Sequence, residues 1–254
     1  MSPRAIVGFL LLAACVTNPA PSTTVPTGLT MTVDSVADGD SFRAGDLEVR
    51  LLGVNAPEQV ECFGTESQQW LEDAIGGQSV RLEIVDVDQF GRDLANVFVG
   101  DRWTNLEMVE TGHALALSGS QNLVAAEEIA FRDRLGMWGH EICGAIGSPA
   151  QLVITALDFN PVGTDDQETV VVQNAGTESI GLRGFRLRDE SSINRYDFPD
   201  RDLESGDSVT VMTGCPRGGS VLGWCSDSPV WNNDGDTALL LDSFGRIVSR
   251  YRYP

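Results

Sequence analysis

The 254-residue sequence predicts an α+β domain followed by an all-β domain. In the first part, short apolar strands alternate with three helical stretches. From residue 150 onward, the pattern changes to short β-rich runs separated by turns, which is the rhythm of a sandwich. The segment Gly147-Ser148-Pro149-Ala150 is the expected junction. We therefore place the two domains at residues 30–146 and 150–254.

The first 29 residues predict export. Arg4 gives a positive start, and Ala5 to Ala14 is an apolar stretch too short to span a bilayer. The letters L-A-A-C, ending at Cys15, resemble a bacterial lipobox. We expect a lipoprotein signal peptide over residues 1–15, lipidation of Cys15 and a membrane-anchored protein on the cell surface. The alternative is a signal peptide without lipidation, which would give a secreted protein. Residues 16–29 are rich in Thr, Pro and Ser and predict a flexible tether.

The run over residues 37–58 predicts a strand pair with polar ends. Its D-G-D letters predict a tight acidic turn in which Gly39 supplies a positive φ. The segment Leu47 to Val54 alternates apolar and polar residues, as a strand does, and this places Arg50 in mid-strand. Pro57 ends the strand because it cannot donate a ladder hydrogen bond.

The candidate site residues lie at the ends of these strands. Asp40, Asn55 and Glu58 lie on loops that a curled sheet could bring together, and Arg92 follows a glycine turn in the next hairpin. Oxygen ligands for a hard cation, arginine forks for a phosphate and a further carboxylate would then meet in one place.

The remaining elements of the first domain follow from capping residues and periodicity. Capping-box spacings, T-x-x-Q and T-x-x-E, predict helix starts at Thr65 and Thr104. Helices are expected from Thr65 to Ile75, from Thr104 to just before Gly112 and from Leu123 to Leu135. Strands are expected over Val80–Val85 and Leu94–Val99. On the third helix, Leu123, Ile129 and Phe131 are expected to face the barrel. Five strands with three helices in this order fit an OB-like β-barrel.

Three motifs occur in order: D-G-D-S, V-R-L-L-G-V-N-A-P-E and D-Q-F-G-R-D-L-A. Together they closely resemble the staphylococcal nuclease family over about residues 31–143. The resemblance implies an OB-like barrel with three helices and Ca²⁺-dependent hydrolysis of DNA or RNA to 3′-phosphate products. It also implies that Arg50 and Arg92 clamp the phosphate, that Asp40 holds Ca²⁺, and that Glu58 positions or deprotonates the attacking water.

The sequence departs from the family pattern at several positions. Asn55 stands where the family has a second metal-binding Asp, so Ca²⁺ should bind more weakly or a different divalent cation should serve. Gln89-Phe90 replaces the family's Lys-Tyr, and residues 116–120 lack the tyrosines that pack on the nucleotide in relatives. We therefore expect catalytic activity with poor affinity for substrate.

The charge is unusual for a protein that binds nucleic acid. The net charge is −20, the isoelectric point is about 4.2, and all 17 basic residues are Arg. Residues 30–148 contain 7 Arg and 21 acidic residues, and residues 149–254 contain 9 Arg and 16 acidic residues. Because affinity for nucleic acid normally rests on basic side chains, polyanions should bind weakly unless divalent cations or salt reduce the repulsion. Adaptation to salt explains such a composition without reference to function.

Four of the five cysteines remain once Cys15 is set aside. They allow three connectivities, and the domain boundary favours Cys62–Cys143 and Cys215–Cys225 in an oxidising compartment. His140 and Cys143 would supply at most half of the ligands of a zinc site, so we interpret the four cysteines as disulfide-bonded and not as zinc ligands.

The second domain resembles the lamin tail domain, which has an immunoglobulin-like fold. The resemblance rests on D-F-N-P-V-G, E-T-V-V-V-Q-N-A-G, G-F-R-L-R-D and V-W-N-N-D-G-D-T-A-L-L-L-D. The expected strands are Leu152–Asp158, Glu168–Gln173, Ile180–Leu187, Ser208–Thr213, Ala238–Asp242 and Ile247–Tyr251. The letters N-D-G-D predict a hairpin turn rather than a Ca²⁺ loop. The resemblance implies a binding or targeting role with an unknown ligand.

Two functions are therefore under comparison. One is an exported, metal-dependent nuclease whose substrate is DNA or RNA. The alternative is a non-catalytic surface binding or adhesion protein with a degenerate nuclease barrel, which the acidic charge and missing aromatic residues would favour.

Overall fold

A computed structural model describes residues 28–145, 150–161, 167–191, 193–216 and 221–253. The N-terminal domain contains nine strands and three α-helices within these residues. The strands are β1 Leu29–Thr32, β2 Ser35–Val36, β3 Ser41–Ala44, β4 Leu47–Leu51, β5 Val54–Asn55, β6 Ser79–Val87, β7 Asp93–Val99, β8 Arg102–Trp103 and β9 Leu115–Ala116. The helices are α1 Gly64–Ile75, α2 Thr104–Glu110 and α3 Gln121–Asp133, followed by a short 3₁₀ helix, Gly136–Trp138.

One curled sheet with the order β1-β6-β7-β4-β3-β2 forms a half-barrel, which is consistent with the OB-like β-barrel expected from the sequence, and β8 pairs with β7. Strands β4 and β7 are parallel, whereas the other neighbours in this sheet are antiparallel. The alternation of β4 buries Val49 and Leu51 and leaves Arg50 half-buried on the other face, opposite Ser41 of β3. Burial of a side chain of this size contributes about 1.5–3 kcal/mol. The alternation therefore fixes the face to which Arg50 belongs.

The C-terminal domain is a β-sandwich. Its strands are β10 Leu152–Asp158, β11 Thr169–Asn174, β12 Ile180–Gly181, β13 Arg186–Arg188, β14 Arg195–Asp197, β15 Asp202–Leu203, β16 Ser208–Met212, β17 Leu222–Gly223, β18 Asp236–Leu241 and β19 Ile247–Tyr253. One sheet has the order β10-β11-β16-β17 and the other β14-β13-β18-β19, with β12 and β15 forming a small pair. Inward-facing residues of both sheets, such as Val172 and Leu187, form the core.

The two domains share a third apolar cluster. Leu115, Ala130 and Trp138 of the first domain pack with Leu239 and Leu241 of β18. Beside this cluster, Glu127 of α3 forms salt bridges with Arg250 and Arg252 of β19. A shared apolar cluster of buried residues resists separation in water, so the domains form one packed unit.

The tight turn at Gly39 differs from the expectation. Gly39 is not among the glycines with a positive φ. Instead, a Cβ atom added there would lie 2.5 Å from the Cβ of Ala56 and 2.9 Å from that of Ser67. The glycine is therefore required because the chain passes close to α1 and to the end of β5, and not because of its backbone conformation.

The helix starts were predicted for the wrong reason. Helices α1 and α2 begin within a residue of the predicted positions, but neither has a side-chain cap hydrogen bond. Gln68 instead reaches the backbone oxygen of Ala37 over 3.1 Å, and Glu107 pairs with Arg102 over 2.8 Å. Gln68 therefore makes a tertiary contact and Glu107 a contact across a turn, and neither side chain forms a capping box.

The predicted inner face of α3 is partly wrong. Leu123 is buried, but Ile129 is 49% exposed and Phe131 is 39% exposed. Ala126, Glu127 and Ala130 are buried in their place. The buried face of α3 is therefore shared between the core of its own domain and the contact with the second domain.

Boundaries shift slightly relative to the prediction. Leu29, assigned to the tether, belongs to β1 and pairs with Leu82. The predicted strand Ile180–Leu187 is divided into β12 and β13, and the short strands β14, β15 and β17 were not predicted. Cys15, the signal peptide, most of the tether and the centre of the junction lie outside the described residues. Among the helices that the structure describes, none combines the length and apolar character needed to cross a bilayer.

Candidate active site

Asp40 lies at the bottom of the candidate site. It follows the turn at Gly39, and only 3% of the residue is exposed. One carboxylate oxygen, Oδ1, accepts hydrogen bonds from the Arg50 guanidinium and from Oγ of Ser41. The other, Oδ2, accepts from the backbone N–H of Ala56 over 3.0 Å. These contacts hold the carboxylate at the junction of β3, β4 and the segment after β5.

Arg50 connects Asp40 to Asn55. Its second terminal nitrogen donates to Oδ1 of Asn55 over 2.8 Å. The amide nitrogen of Asn55 donates in turn to the backbone oxygen of Glu190, over 3.0 Å, in the second domain. The carboxylate and the amide oxygen therefore both contact one guanidinium, which brings two hard oxygen donors close together.

Arg92 is positioned by the hairpin that precedes β7. Its Nε donates to Oδ2 of Asp88 over 2.8 Å, and its backbone N–H donates to Oδ1 of the same residue over 3.0 Å. A terminal nitrogen of Arg92 lies 3.2 Å from Oγ of Ser41, which also contacts Asp40. Desolvation opposes the effect, but the hydrogen bonds from Arg92 lower the pKa of Asp88. Asp88 therefore stays ionised and holds the arginine in place.

Glu58 stands at the rim of the site. Its side chain is exposed, and its backbone N–H donates to Oε2 of Glu61 over 3.0 Å. Glu58, Arg50, Asn55 and Arg92 all line one open cleft of about 620 Å³. The structure therefore brings four predicted residues to one cleft, with the fifth, Asp40, buried behind Arg50.

The electrostatics of the cleft depend on Asp40. Burial raises the pKa of Asp40 to about 6, against the opposing effect of the Arg50 charge. An additional cation near a buried carboxylate with a raised pKa stabilises the charged form of that carboxylate. Asp40 and Asn55 match a hard divalent cation in donor type, with one formal negative charge between them, but both side chains accept hydrogen bonds from Arg50, which a bound cation would have to replace.

The described residues contain no group of three or more His, Cys, Asp and Glu side chains placed to hold a metal ion. Nδ1 of His140 lies 2.9 Å from a terminal nitrogen of Arg134. Both predicted disulfides, Cys62–Cys143 and Cys215–Cys225, are present. The N-D-G-D letters form a turn that leads into β18, and Asp236 accepts a hydrogen bond from Asn232 within it.

Comparison with family models assigns both halves of the chain. Residues 48–140 match the staphylococcal nuclease homologue model, and residues 147–254 match the lamin tail domain model. The chain is a staphylococcal nuclease domain followed by a lamin tail domain.

Several relatives with nuclease names match part of the chain. A probable staphylococcal-like nuclease of Oryza sativa subsp. japonica, CAN3, is 35% identical over 75 residues, which is 30% of this chain and 20% of the relative. An uncharacterized endonuclease of Haemophilus influenzae is 32% identical over 117 residues, 43% of this chain and 66% of the relative. A probable endonuclease LCL3 of Phaeosphaeria nodorum is 35% identical over 125 residues, 41% of this chain and 42% of the relative. Each match spans less than two thirds of the relative's own length.

The nuclease domain lacks an aromatic platform at residues 116–120, as the sequence indicated. Ala116 is buried in β9, and Leu117 lines the cleft. Ser118 contacts the tail domain, because its backbone N–H and its hydroxyl donate to the two carboxylate oxygens of Glu190, each over 2.8 Å. The segment that would present aromatic side chains to a nucleotide is thus partly used to bind the tail domain.

Sequence reasoning missed three contributors to the site. Asp88 orients Arg92, and its position four residues before the arginine, in a turn, was a usable signal. Glu190 contacts Asn55, and Ile193 lines the cleft, but both belong to the tail domain. Nothing local in the sequence indicates that tail residues reach the nuclease site.

Proposed function

We propose that this protein is a metal-dependent nuclease that hydrolyses phosphodiester bonds of DNA or RNA. The observation that carries the proposal is the convergence of Arg50, Arg92 and Glu58 on one cleft above the buried Asp40. The family match and the nuclease names of the relatives support the same activity.

The two arginines supply the phosphate site. A guanidinium presents a planar fork of N–H donors that matches two oxygens of a phosphate, and two such forks stabilise the extra charge of the transition state. Arg92 is held by Asp88, so part of its donor set is already oriented before substrate binds. Glu58, exposed at the rim, can accept a proton from a water or orient it for attack.

Asp40 and Asn55 would hold the cation, for which we propose Ca²⁺. A bound divalent ion would supply Lewis acidity toward a phosphate oxygen and offset negative charge. Asp40 contributes the single formal charge, and Asn55 a neutral amide oxygen, so weaker binding than at a site with two carboxylates is expected. We further propose 3′-phosphate products, as the family resemblance implies.

We also propose an exported location and a targeting role for the tail domain. Two disulfides within the described residues support an oxidising compartment. The proposed anchor is a lipid on Cys15. Its test is membrane fractionation of the full chain and of Cys15→Ser, in which only the substituted chain should leave the membrane fraction.

The nuclease proposal is tested with the purified protein lacking residues 1–15. The parent protein is incubated with single-stranded DNA in the presence of Ca²⁺ or of EDTA. The variants Arg92→Ala and Arg102→Ala are assayed in the same way with Ca²⁺. Arg102 is an exposed arginine paired with Glu107 and serves as the matched control. Chelation should abolish cleavage, and Arg92→Ala should reduce kcat by about a hundredfold or more, because one oriented phosphate donor is lost. Absence of cleavage with Ca²⁺, Mg²⁺ and Mn²⁺ at low and high salt would instead favour the non-catalytic binding protein.

A further inference from the structure

The catalytic cleft is not built by the nuclease domain alone. Ser191 and Ile193, in the tail-domain segment between β13 and β14, line the same cleft of about 620 Å³ as Arg50 and Arg92. A tail domain that only tethered or targeted the enzyme would not need to contribute side chains to this cleft. Side chains of the tail domain therefore lie where a ligand bound in the cleft would meet them.

The tail segment is fixed to the nuclease domain on both sides of Ile193. Before it, Glu190 accepts hydrogen bonds from Ser118 and, through its backbone oxygen, from Asn55. After it, Arg195 forms a salt bridge of 2.8 Å with Glu61. Contacts at both ends limit the positions available to Ile193 relative to the cleft.

The segment is also braced internally. Oδ2 of Asp189 accepts hydrogen bonds from Oγ of Ser191 and from the side-chain amide of Asn194, each over 2.8 Å. The carboxylate therefore links Ser191 to Asn194. Side chains that are already held in place lose less conformational entropy when a ligand contacts them.

Two large apolar side chains remain exposed at this cleft. Ile193 of the tail domain and Phe90 of the β6–β7 hairpin are each 71% exposed, and both line the cleft together with the two arginines. Apolar side chains beside phosphate-binding groups match a ligand that has a phosphate and a flat apolar face. An unpaired nucleotide has both, whereas a paired base keeps its faces stacked within the duplex.

We propose that Ile193 is a specificity-determining residue through which the tail domain contacts an unpaired base of the substrate strand. The arginines bind the phosphate while a neighbouring base packs on Ile193, with Phe90 as a second apolar surface in the same cleft. This inference rests on the proposed nuclease function. It assigns to the tail domain part of the nucleotide binding that tyrosines at residues 116–120 provide in relatives.

The test compares the parent protein with Ile193→Ala, Ile193→Phe and the control Val153→Ala. Val153 is 41% exposed on β10 and does not line the cleft. Cleavage of a short single-stranded oligonucleotide is measured, together with cleavage of strands of the same sequence that carry one abasic site at successive positions. Ile193→Ala should raise KM about three- to tenfold on the single strand with kcat nearly unchanged, since apolar contact between the side chain and a base contributes to binding. Ile193→Phe should lower KM, which a loss of folding could not produce.

The abasic strands identify the contact. At one position, removal of the base should eliminate the difference between the parent protein and Ile193→Ala. The proposal is overturned if Ile193→Ala behaves as Val153→Ala does, or if its defect persists with every abasic strand. If the parent protein cleaves nothing, the nuclease proposal fails, and the Kd values for the same strands in the presence of Ca²⁺ become the measurement. Ile193→Ala should then raise Kd, and removal of the base at one position should eliminate that difference from the parent protein. If Kd does not change in this way, the base contact is rejected.

Discussion

The side-chain amide of Asn55 donates a hydrogen bond of 3.0 Å to the backbone oxygen of Glu190, so a candidate cation ligand of the nuclease domain is also a contact of the tail domain. An amide can accept from Arg50 through its oxygen and donate to a carbonyl through its nitrogen. An ionised carboxylate has no donor and could not make the second contact. The contact with the tail domain therefore gives a physical reason for asparagine at this position.

We predict that Asn55→Asp has two opposing effects. The carboxylate would face the oxygen of Glu190 and lose a buried hydrogen bond, so the free energy of unfolding without metal should fall by about 1–3 kcal/mol. The added charge should lower the Ca²⁺ concentration needed for half-maximal cleavage. Chemical denaturation and a Ca²⁺ titration measure the two effects. The control is Asn122→Asp at an exposed position of α3, and equal results for both variants would contradict the dual role of Asn55.

The site could be predicted from the sequence where it depends on local pattern. The alternation of β4 placed Arg50, and the glycine turn placed Arg92, because both depend on neighbouring residues alone. The disulfides followed from the domain boundary, since each pair lies within one domain. The OB-like fold class of the first domain and the sandwich of the second were likewise confirmed.

What the sequence did not predict depends on contacts between the domains. Periodicity assigned Phe131 of α3 to the inner face, but Arg250 of the tail domain packs over its ring, 4.0 Å from the centroid. Glu127 was not expected to be buried, because its arginine partners lie more than a hundred residues away. No local pattern encodes such partners, and the same is true of Glu190 beside Asn55.

Glu127 is predicted to be the charged residue on which the domain contact depends most. It is fully buried and pairs with Arg250 over 2.5 Å and Arg252 over 3.0 Å, and it accepts a hydrogen bond from the backbone of Ala116. Glu127→Gln would leave two arginines without their buried counter-charge and should cost about 3–5 kcal/mol. Denaturant unfolding should then show separate transitions for the two domains.

The adjacent residue gives a matched control for this prediction. Glu128 also pairs with Arg250, over 2.7 Å, but its side chain is 56% exposed. Glu128→Gln should therefore change the free energy of unfolding by less than about 1 kcal/mol. If the two variants unfolded at the same denaturant concentration, the buried network would not hold the domains together.

Asp236 should make the stability of the protein depend on pH. Burial raises its pKa to about 7, and the negative charge of Glu190 adds to the effect. Between pH 4 and pH 7, the folded protein therefore holds a proton that the unfolded chain has released, so raising the pH lowers the stability. The slope is at most about 1.4 kcal/mol per pH unit for one group.

The measurement for Asp236 is the unfolding free energy of the parent protein and of Asp236→Asn from pH 4 to pH 8. The parent should lose stability more steeply with rising pH than the variant, because only the parent has the titrating carboxyl. Asp234→Asn, at an exposed position of the same turn, should keep the parental slope. Parallel curves for the parent and Asp236→Asn would show that this carboxyl is not protonated in the folded state at low pH.

The two disulfides should differ in their effects on stability and on cleavage. Cys62–Cys143 closes a loop of 81 residues and Cys215–Cys225 one of 10, so chain entropy predicts losses of about 4.5 and about 2.5 kcal/mol on replacement by paired serines. Cys62 also lies four residues after Glu58 and packs against the turn at Gly245 of the tail domain. Replacement of the first pair should therefore also lower kcat, because the Glu58 segment loses its fixed end, whereas replacement of the second pair should leave kcat unchanged. Thermal unfolding and cleavage assays at a temperature where all variants are folded separate the two effects, and an equal loss of kcat in both variants would show that Cys62 does not position Glu58.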